Sequence, residues 1–223
     1  MGLDWRPMGK PKVGFEERFK QIFRILTDKE KEEIGLLDKL KSKKIKSKDE
    51  LLKEWFDISD KTYETIKAPR VGRDKPADDW VKEKYQETDK VLSQEEFIKN
   101  YEGYYVIELA KELDGVPVYI PMGQDENVFR GQFLRDCKDL IGEDLLSKGW
   151  ETKFAEDTLR YGQQLMTIAD KLATENDMLY LKEQRSPPDT TEDSLESKIH
   201  ILFAAAKWLI FYGRNGHGFE ADF

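Results

Sequence analysis

The chain is poor in the side chains on which most recognisable catalytic devices depend. It has one cysteine and two histidines in 223 residues. A single thiol excludes an intramolecular disulfide, and neither histidine has a second histidine or a cysteine at metal-ligand spacing. There is no Walker loop, strand-linked GxGxxG, GxSxG elbow, HExxH or paired CxxC, so the common motif-marked nucleotide-binding, hydrolase and zinc classes lose weight. Long hydrophobic runs are missing too. The longest, over 201–212, is interrupted by Lys207 and is too short to span a bilayer. Residues 1–18 lack the apolar stretch of a secretory signal, and Arg6 stands where an N-myristoylation motif on Gly2 requires Ser or Thr. Cytoplasmic residence without membrane attachment is the expectation. No internal repeat and no sharp compositional break divides the chain.

What is present is charge and aromatic mass. Charged residues make up 37%, aromatics 12% and hydrophobic residues 39%, with a mean hydropathy of -0.72. That balance describes a folded chain with a heavily solvated surface rather than a disordered one. A formal net charge of -8 disfavours bulk attraction to nucleic acid or anionic lipid. The length suits one core. We therefore expect a single helical domain over 1–223, with an extended arm over 1–14 anchored by Leu3 and Trp5 and a tail over 214–223.

The periodicity predicts a mainly α, multi-helix domain around a central buried C-terminal helix. The segment 194–213 is almost uniformly apolar from Ile199 onward, a surface that only a helix enclosed by other helices can use. Asp193 with Glu196 has capping-box spacing, and Gly213 is a natural stop. Phe15, Phe19, Ile22, Phe23 and Leu26 predict a first amphipathic helix. Further boxes at Thr27/Glu30, Ser47/Glu50 and Ser93/Glu96 predict helix starts, the first leading through Ile34 to Leu40. Phe129, Phe133, Cys137, Leu140 and Ile141 predict one helix over 128–141, ended by Gly142. Phe154, Tyr161, Leu165, Ile168 and Leu172 predict a longer one. Residues 104–121 read as a small β-hairpin or extended pair, with a helix running from Gln94 to Leu113 as the alternative; the β-branched and aromatic run from Tyr104 slightly favours the former.

Few residues suggest chemistry. His217, Glu220 and Asp222 gather in a glycine-flanked tail, where an imidazole oriented by a carboxylate could act as a general base, or the three could hold a divalent metal. Against this, Phe219 and Phe223 could simply plug the tail into the core. Arg70 and Arg73, in a loop opening a helix, could receive an anion, although Asp74, Asp78 and Asp79 would repel it. Six lysines over 39–48 lack interleaved aromatics for base stacking, so a solvated face is the simpler expectation. Cys137 lies on an apolar helix face, as inert cysteines do. His200 reads as a structural residue. Asp136, Asp139, Arg130 and Arg135 form either a polar cleft or ordinary ion pairs.

Two functional expectations follow. The first is a cytoplasmic binding or protein-interaction domain with a protein or small-molecule partner, its exposed aromatics, such as Trp80, suiting partner surfaces. The alternative is a hydrolase-like enzyme using His217 with Glu220 or Asp222 on an anionic substrate steered by Arg70 or Arg73. No metal and no particular cofactor is implied.

Overall fold

The computed structural model describes residues 2–27, 46–62, 65, 67–106, 109, 127–184, 186–191 and 193–222. The predicted helix from Thr27 towards Leu40 and the lysine run up to residue 45 lie outside the described residues, as do most of 107–126, where the expected hairpin or extended pair falls, and Phe223. In chain order the elements are β1 (Asp4–Pro7), β2 (Lys10–Pro11), α1 (Glu16–Leu26), α2 (Lys48–Asp57), β3 (Ser59–Asp60), α3 (Lys75–Gln86) and α4 (Gln94–Asn100). After a 3-10 turn at Gly131–Arg135 come α5 (Lys138–Ile141), α6 (Glu143–Ser147), α7 (Ala155–Glu175), α8 (Leu195–Arg214) and β4 (Phe219–Asp222). The class is mainly α, with two antiparallel two-stranded sheets, β1–β4 and β2–β3, among the described residues. Backbone contacts divide the chain into two compact units, Gly9–Lys61 and Met1–Met8 with Thr62–Phe223.

In the Gly9–Lys61 unit, α1 buries Phe19, Ile22 and Ile25. Phe15, expected on that face, is instead the N-cap residue and stays 46% exposed. The predicted Ser47/Glu50 capping box is formed reciprocally at the start of α2. Trp55 of α2 stacks on Phe19 with centroids 4.8 Å apart. Arg18 holds Glu54 through two bonds of 2.9 and 2.7 Å, and Lys46 adds a third at 2.9 Å. The Arg18 hydrogen bonds outweigh burial, which acts in the opposite direction, and with help from Lys46 pull the Glu54 carboxyl from 4.5 down to about 2. Since the folded-state value lies below the unfolded one, this contribution is complete above about pH 4.5 and fades as pH falls towards 2. Glu54→Gln should accordingly lower Tm at neutral pH, and melts of variant and wild type should converge as pH approaches 2; a constant gap across that range would contradict the pairing.

In the larger unit, α8 is the central helix. No residue from Leu195 to Gly213 is exposed, and Ile199, Leu202, Phe203, Ala205, Ala206, Trp208, Leu209 and Tyr212 are buried. Its N-cap is Ser194, one residue later than the predicted Asp193/Glu196 box. The Ser194 hydroxyl accepts from the Ser197 N–H at 3.1 Å, while Glu196 accepts from the Tyr180 hydroxyl at 2.5 Å. Helix α7 lies close against α8 because two glycines remove side chains at the crossing. A Cβ on Gly213 would fall 2.6 Å from the Leu159 backbone nitrogen, and one on Gly162 would fall 2.8 Å from Leu209 Cβ.

The arm over 1–14 is extended at β1 and anchored by buried Leu3 and Trp5, as expected, and β1 pairs with β4 in the register Trp5↔Ala221 and Pro7↔Phe219. The tail enters the fold through buried Phe219. One expectation changes. The single helix expected over 128–141 is replaced by an extended stretch, the 3-10 turn and the short helix α5. The cause is Trp5. Its backbone takes both polar groups of Phe129, with Trp5 N–H to Phe129 O at 2.7 Å and Phe129 N–H to Trp5 O at 3.0 Å. Its ring lies over Gly131, where a Cβ would come within 2.5 Å of Trp5 Nε1. A helix over those residues would forfeit this edge pairing.

Candidate functional site

The C-terminal trio separates into two roles. His217 follows α8 and has no exposed surface. Its Nδ1 lies 2.8 Å from the Met8 carbonyl and its Nε2 2.7 Å from the Thr65 hydroxyl. A carbonyl can only accept, so Nδ1 carries a proton, and in the neutral ring Nε2 is then the acceptor for the Thr65 hydroxyl. The imidazole thus joins three distant parts of the chain. Period-two alternation in β4 turns Phe219 inward and leaves Glu220 and Asp222 exposed. Asp222 pairs with Arg6 at 3.0 Å. The carboxylates are not the partners of the imidazole, and among the described residues no group of three His, Cys, Asp or Glu side chains is placed to hold a metal ion.

Arg70 and Arg73 also part. Arg70 donates from Nε to the Gly103 carbonyl at 2.8 Å and lies over the Tyr105 ring at 5.3 Å, whereas Arg73 is exposed. The backbone donors that could have cradled an anion are met internally. Asp74 accepts from the Arg70 N–H at 2.8 Å, and Asp78 accepts from the Gly72 N–H at 2.7 Å. Asp79 pairs with Lys75 and Lys82.

The remaining polar candidates have separate partners. Asp139 pairs with Lys198, Arg130 with Asp4, and Arg135 lies over the Trp150 ring. Asp136 is exposed. His200 is buried with Nε2 3.2 Å from the Gln184 carbonyl, and desolvation lowers its pKa despite that bond. Cys137 is buried, and desolvation followed by the neighbouring Asp136 charge pushes its thiol up to about 12. It should therefore resist alkylation by iodoacetamide at pH 8 in the native protein and react promptly once the chain is unfolded in guanidinium; rapid native labelling would contradict its burial.

A different surface gathers partly exposed aromatic and polar groups. Leu92, Phe97, Asn100, Tyr101 and Tyr104 line a groove of about 290 Å³. Phe97 and Tyr101 are one turn apart along α4 and its C-cap, and the Ser93/Glu96 capping box that starts this helix is formed reciprocally. Gly103, at φ +88, then reverses the chain so that Tyr104 returns beside Tyr101, a conformation that costs a residue with a Cβ. Arg70 clamps this turn through the Gly103 carbonyl. Ring centroids lie 5.0 Å apart for Phe97 and Tyr101 and 5.5 Å apart for Tyr101 and Tyr104. Beneath them Val71, Ala77, Val81 and Val106 form a small core. Trp80, expected to be exposed, is half-buried against that core with its ring 6.3 Å from Tyr101. The groove side is open: Leu92 is 40% exposed, Tyr104 38%, and adjoining Val91 89%.

No family model, curated protein or solved structure matches this chain. The groove's own chemistry is therefore what bears on function. The polar ends of Asn100, Tyr101 and Tyr104 make no side-chain hydrogen bond among the described residues. The segment 87–104 carries Glu87, Asp89, Glu95, Glu96 and Glu102 against Lys90 and Lys99. No described helix is long and apolar enough to cross a membrane.

Proposed function

We propose that the protein is a cytoplasmic interaction module that holds a segment of a partner protein in the groove of Leu92, Phe97, Asn100, Tyr101 and Tyr104. One observation carries this: the partly accessible rings of Phe97, Tyr101 and Tyr104, packed pairwise at 5.0 and 5.5 Å, line a 290 Å³ concavity together with Leu92 and Asn100. Recognition sites combine apolar walls with a small number of polar groups that fix orientation, and tyrosines dominate interface energetics because they bury large area at low entropic cost. A catalytic reading would instead need His217 within reach of solvent and of a carboxylate, whereas both its nitrogens are engaged by Met8 and Thr65.

Affinity selection of a random peptide library on the full chain tests the proposal. Wild type should enrich peptides that bind at least about tenfold more weakly to Leu92→Asp, the loss expected from removing one apolar anchor worth about 1.4 kcal/mol. Leu92 is exposed enough for the variant to fold, and matching melting curves would show that it does. No enrichment, or equal binding by wild type and variant, would overturn the proposal.

A further inference from the structure

Provided that the groove is the recognition surface proposed above, its wall depends on Tyr104 lying beside Tyr101, with ring centroids 5.5 Å apart. Tyr104 follows a residue that cannot hold this turn by itself. Gly103 sits at φ +88, and glycine populates positive and negative φ about equally readily. The peptide between Gly103 and Tyr104 is instead gripped at both ends. Its N–H donates to the Tyr101 carbonyl at 3.0 Å, and its carbonyl accepts from Arg70 Nε at 2.8 Å. The main chain on either side pairs with the segment that carries Arg70: Gly103 N–H to Val71 O at 3.0 Å, Val71 N–H to Tyr104 O at 2.8 Å and Val106 N–H to Pro69 O at 2.8 Å. Those bonds fix the path of 103–106. The Arg70 bond holds the carbonyl end of the one peptide whose plane sets the direction of the Tyr104 side chain.

Arg70 is itself held from two sides. Its backbone N–H donates to the Asp74 carboxylate at 2.8 Å, and its guanidinium lies over the Tyr105 ring at 5.3 Å. A planar guanidinium can rest on a ring while donating from its edge, whereas a lysine ammonium is a point charge with no such plane. Arg70 is half-buried and is not among the residues that line the groove. We propose that Arg70 is the positioning residue of the groove: its Nε–H holds the Gly103 carbonyl and so keeps Tyr104 against Tyr101 before any ligand arrives. Preorganisation of this kind raises affinity by removing an ordering cost from binding.

Amide nitrogen relaxation of the full chain, compared among wild type, Arg70→Met and Arg70→Lys, tests the clamp without any ligand. Methionine keeps a long side chain and loses the donor; lysine keeps the charge and loses the planar edge. In wild type the Gly103 and Tyr104 amides should have order parameters of about 0.85, as rigid backbone does, and in both variants these should fall below about 0.6, with the amides of α4 unchanged. The tightest-binding peptide recovered by the library selection on wild type should bind both variants at least about fivefold more weakly by fluorescence anisotropy. A merely structural role would lower Tm and leave both readouts where they are. Wild-type order parameters in Arg70→Met would overturn the inference, and so would a loosened Tyr104 with undiminished peptide affinity; either result leaves the groove standing as a binding site as long as Leu92→Asp still loses the peptide. Full rescue by Arg70→Lys would overturn the role given to the guanidinium. Failure of every library peptide to bind would remove the groove reading itself, and this inference with it.

Discussion

Trp5→Ala should cost about 3–5 kcal/mol of stability, as large-to-small changes of a buried aromatic do, and against a total of about 5–15 kcal/mol it is close to preventing folding. Trp5 has no exposed surface, and its ring meets four others: Phe219 at 5.1 Å, Phe129 at 5.2 Å, Trp208 at 6.0 Å and Tyr161 at 6.1 Å. Its Nε1 donates to the Gly149 carbonyl at 2.8 Å. Truncation would open a cavity bordered by β4, α7 and α8 together, and would orphan a buried acceptor. Trp5→Phe separates the two contributions. It refills most of the volume but cannot reach Gly149, so a loss of about 1–3 kcal/mol is expected from the unsatisfied carbonyl. Urea unfolding followed by far-ultraviolet circular dichroism would read both; a loss below about 1 kcal/mol for Trp5→Ala would show that the N-terminal strand is not the hub described here.

His217→Ala should cost about 2–4 kcal/mol, because it breaks two hydrogen bonds and leaves the Met8 carbonyl buried without a donor. Thr65→Val removes only the bond to Nε2, so about 1 kcal/mol is expected. Glu220→Gln and Asp222→Asn, at exposed positions of β4, should each change stability by less than about 0.5 kcal/mol. This pattern distinguishes a buried brace from a member of an acid–base site, in which the carboxylates would matter together with the imidazole. Equal, small effects at all four positions in the same unfolding measurement would contradict the brace. Binding at the aromatic groove should be unchanged in Asp222→Asn and Glu220→Gln.

The parts of the fold legible in the sequence are those governed by local rules. The enclosed apolar face of α8, the repeat from Phe154 to Leu172 and the boxes at Ser47 and Ser93 all specify helices through contacts within a few residues, and the helices form there. The misread parts are set by distant partners. Helical periodicity from Phe129 to Ile141 is genuine, but the edge pairing of Phe129 with Trp5 overrides it, and nothing local to 128–141 signals that Trp5 will arrive there. The glycines around His217 likewise carry no local signal of the partners they meet. Gly218 is in fact a close-approach position, where a Cβ would fall 2.1 Å from the Lys153 carbonyl oxygen.

The groove is half legible in the sequence. The Ser93/Glu96 box predicts the helix that carries Phe97 and Tyr101, while the β-branched and aromatic run from Tyr104 slightly favours a separate extended segment over a continuation of that helix, which divides the three rings between two elements. The signal that joins them is Gly103, whose left-handed turn folds Tyr104 back on Tyr101. Arg70 illustrates the opposite case. Its charge suggests an anion receptor, while its geometry gives it the Gly103 carbonyl and the Tyr105 ring.

The two terminal segments close the larger unit as the paired strands β1 and β4. Native-state amide hydrogen exchange tests it most directly. The amides of Trp5, Phe129, Lys153, His217 and Phe219, each bonded to a backbone carbonyl at 2.7 to 3.0 Å, should exchange as slowly as those in the middle of α8, through global unfolding. Exchange of His217 and Phe219 within seconds, while α8 remains protected, would mean a loose tail and would contradict the claim.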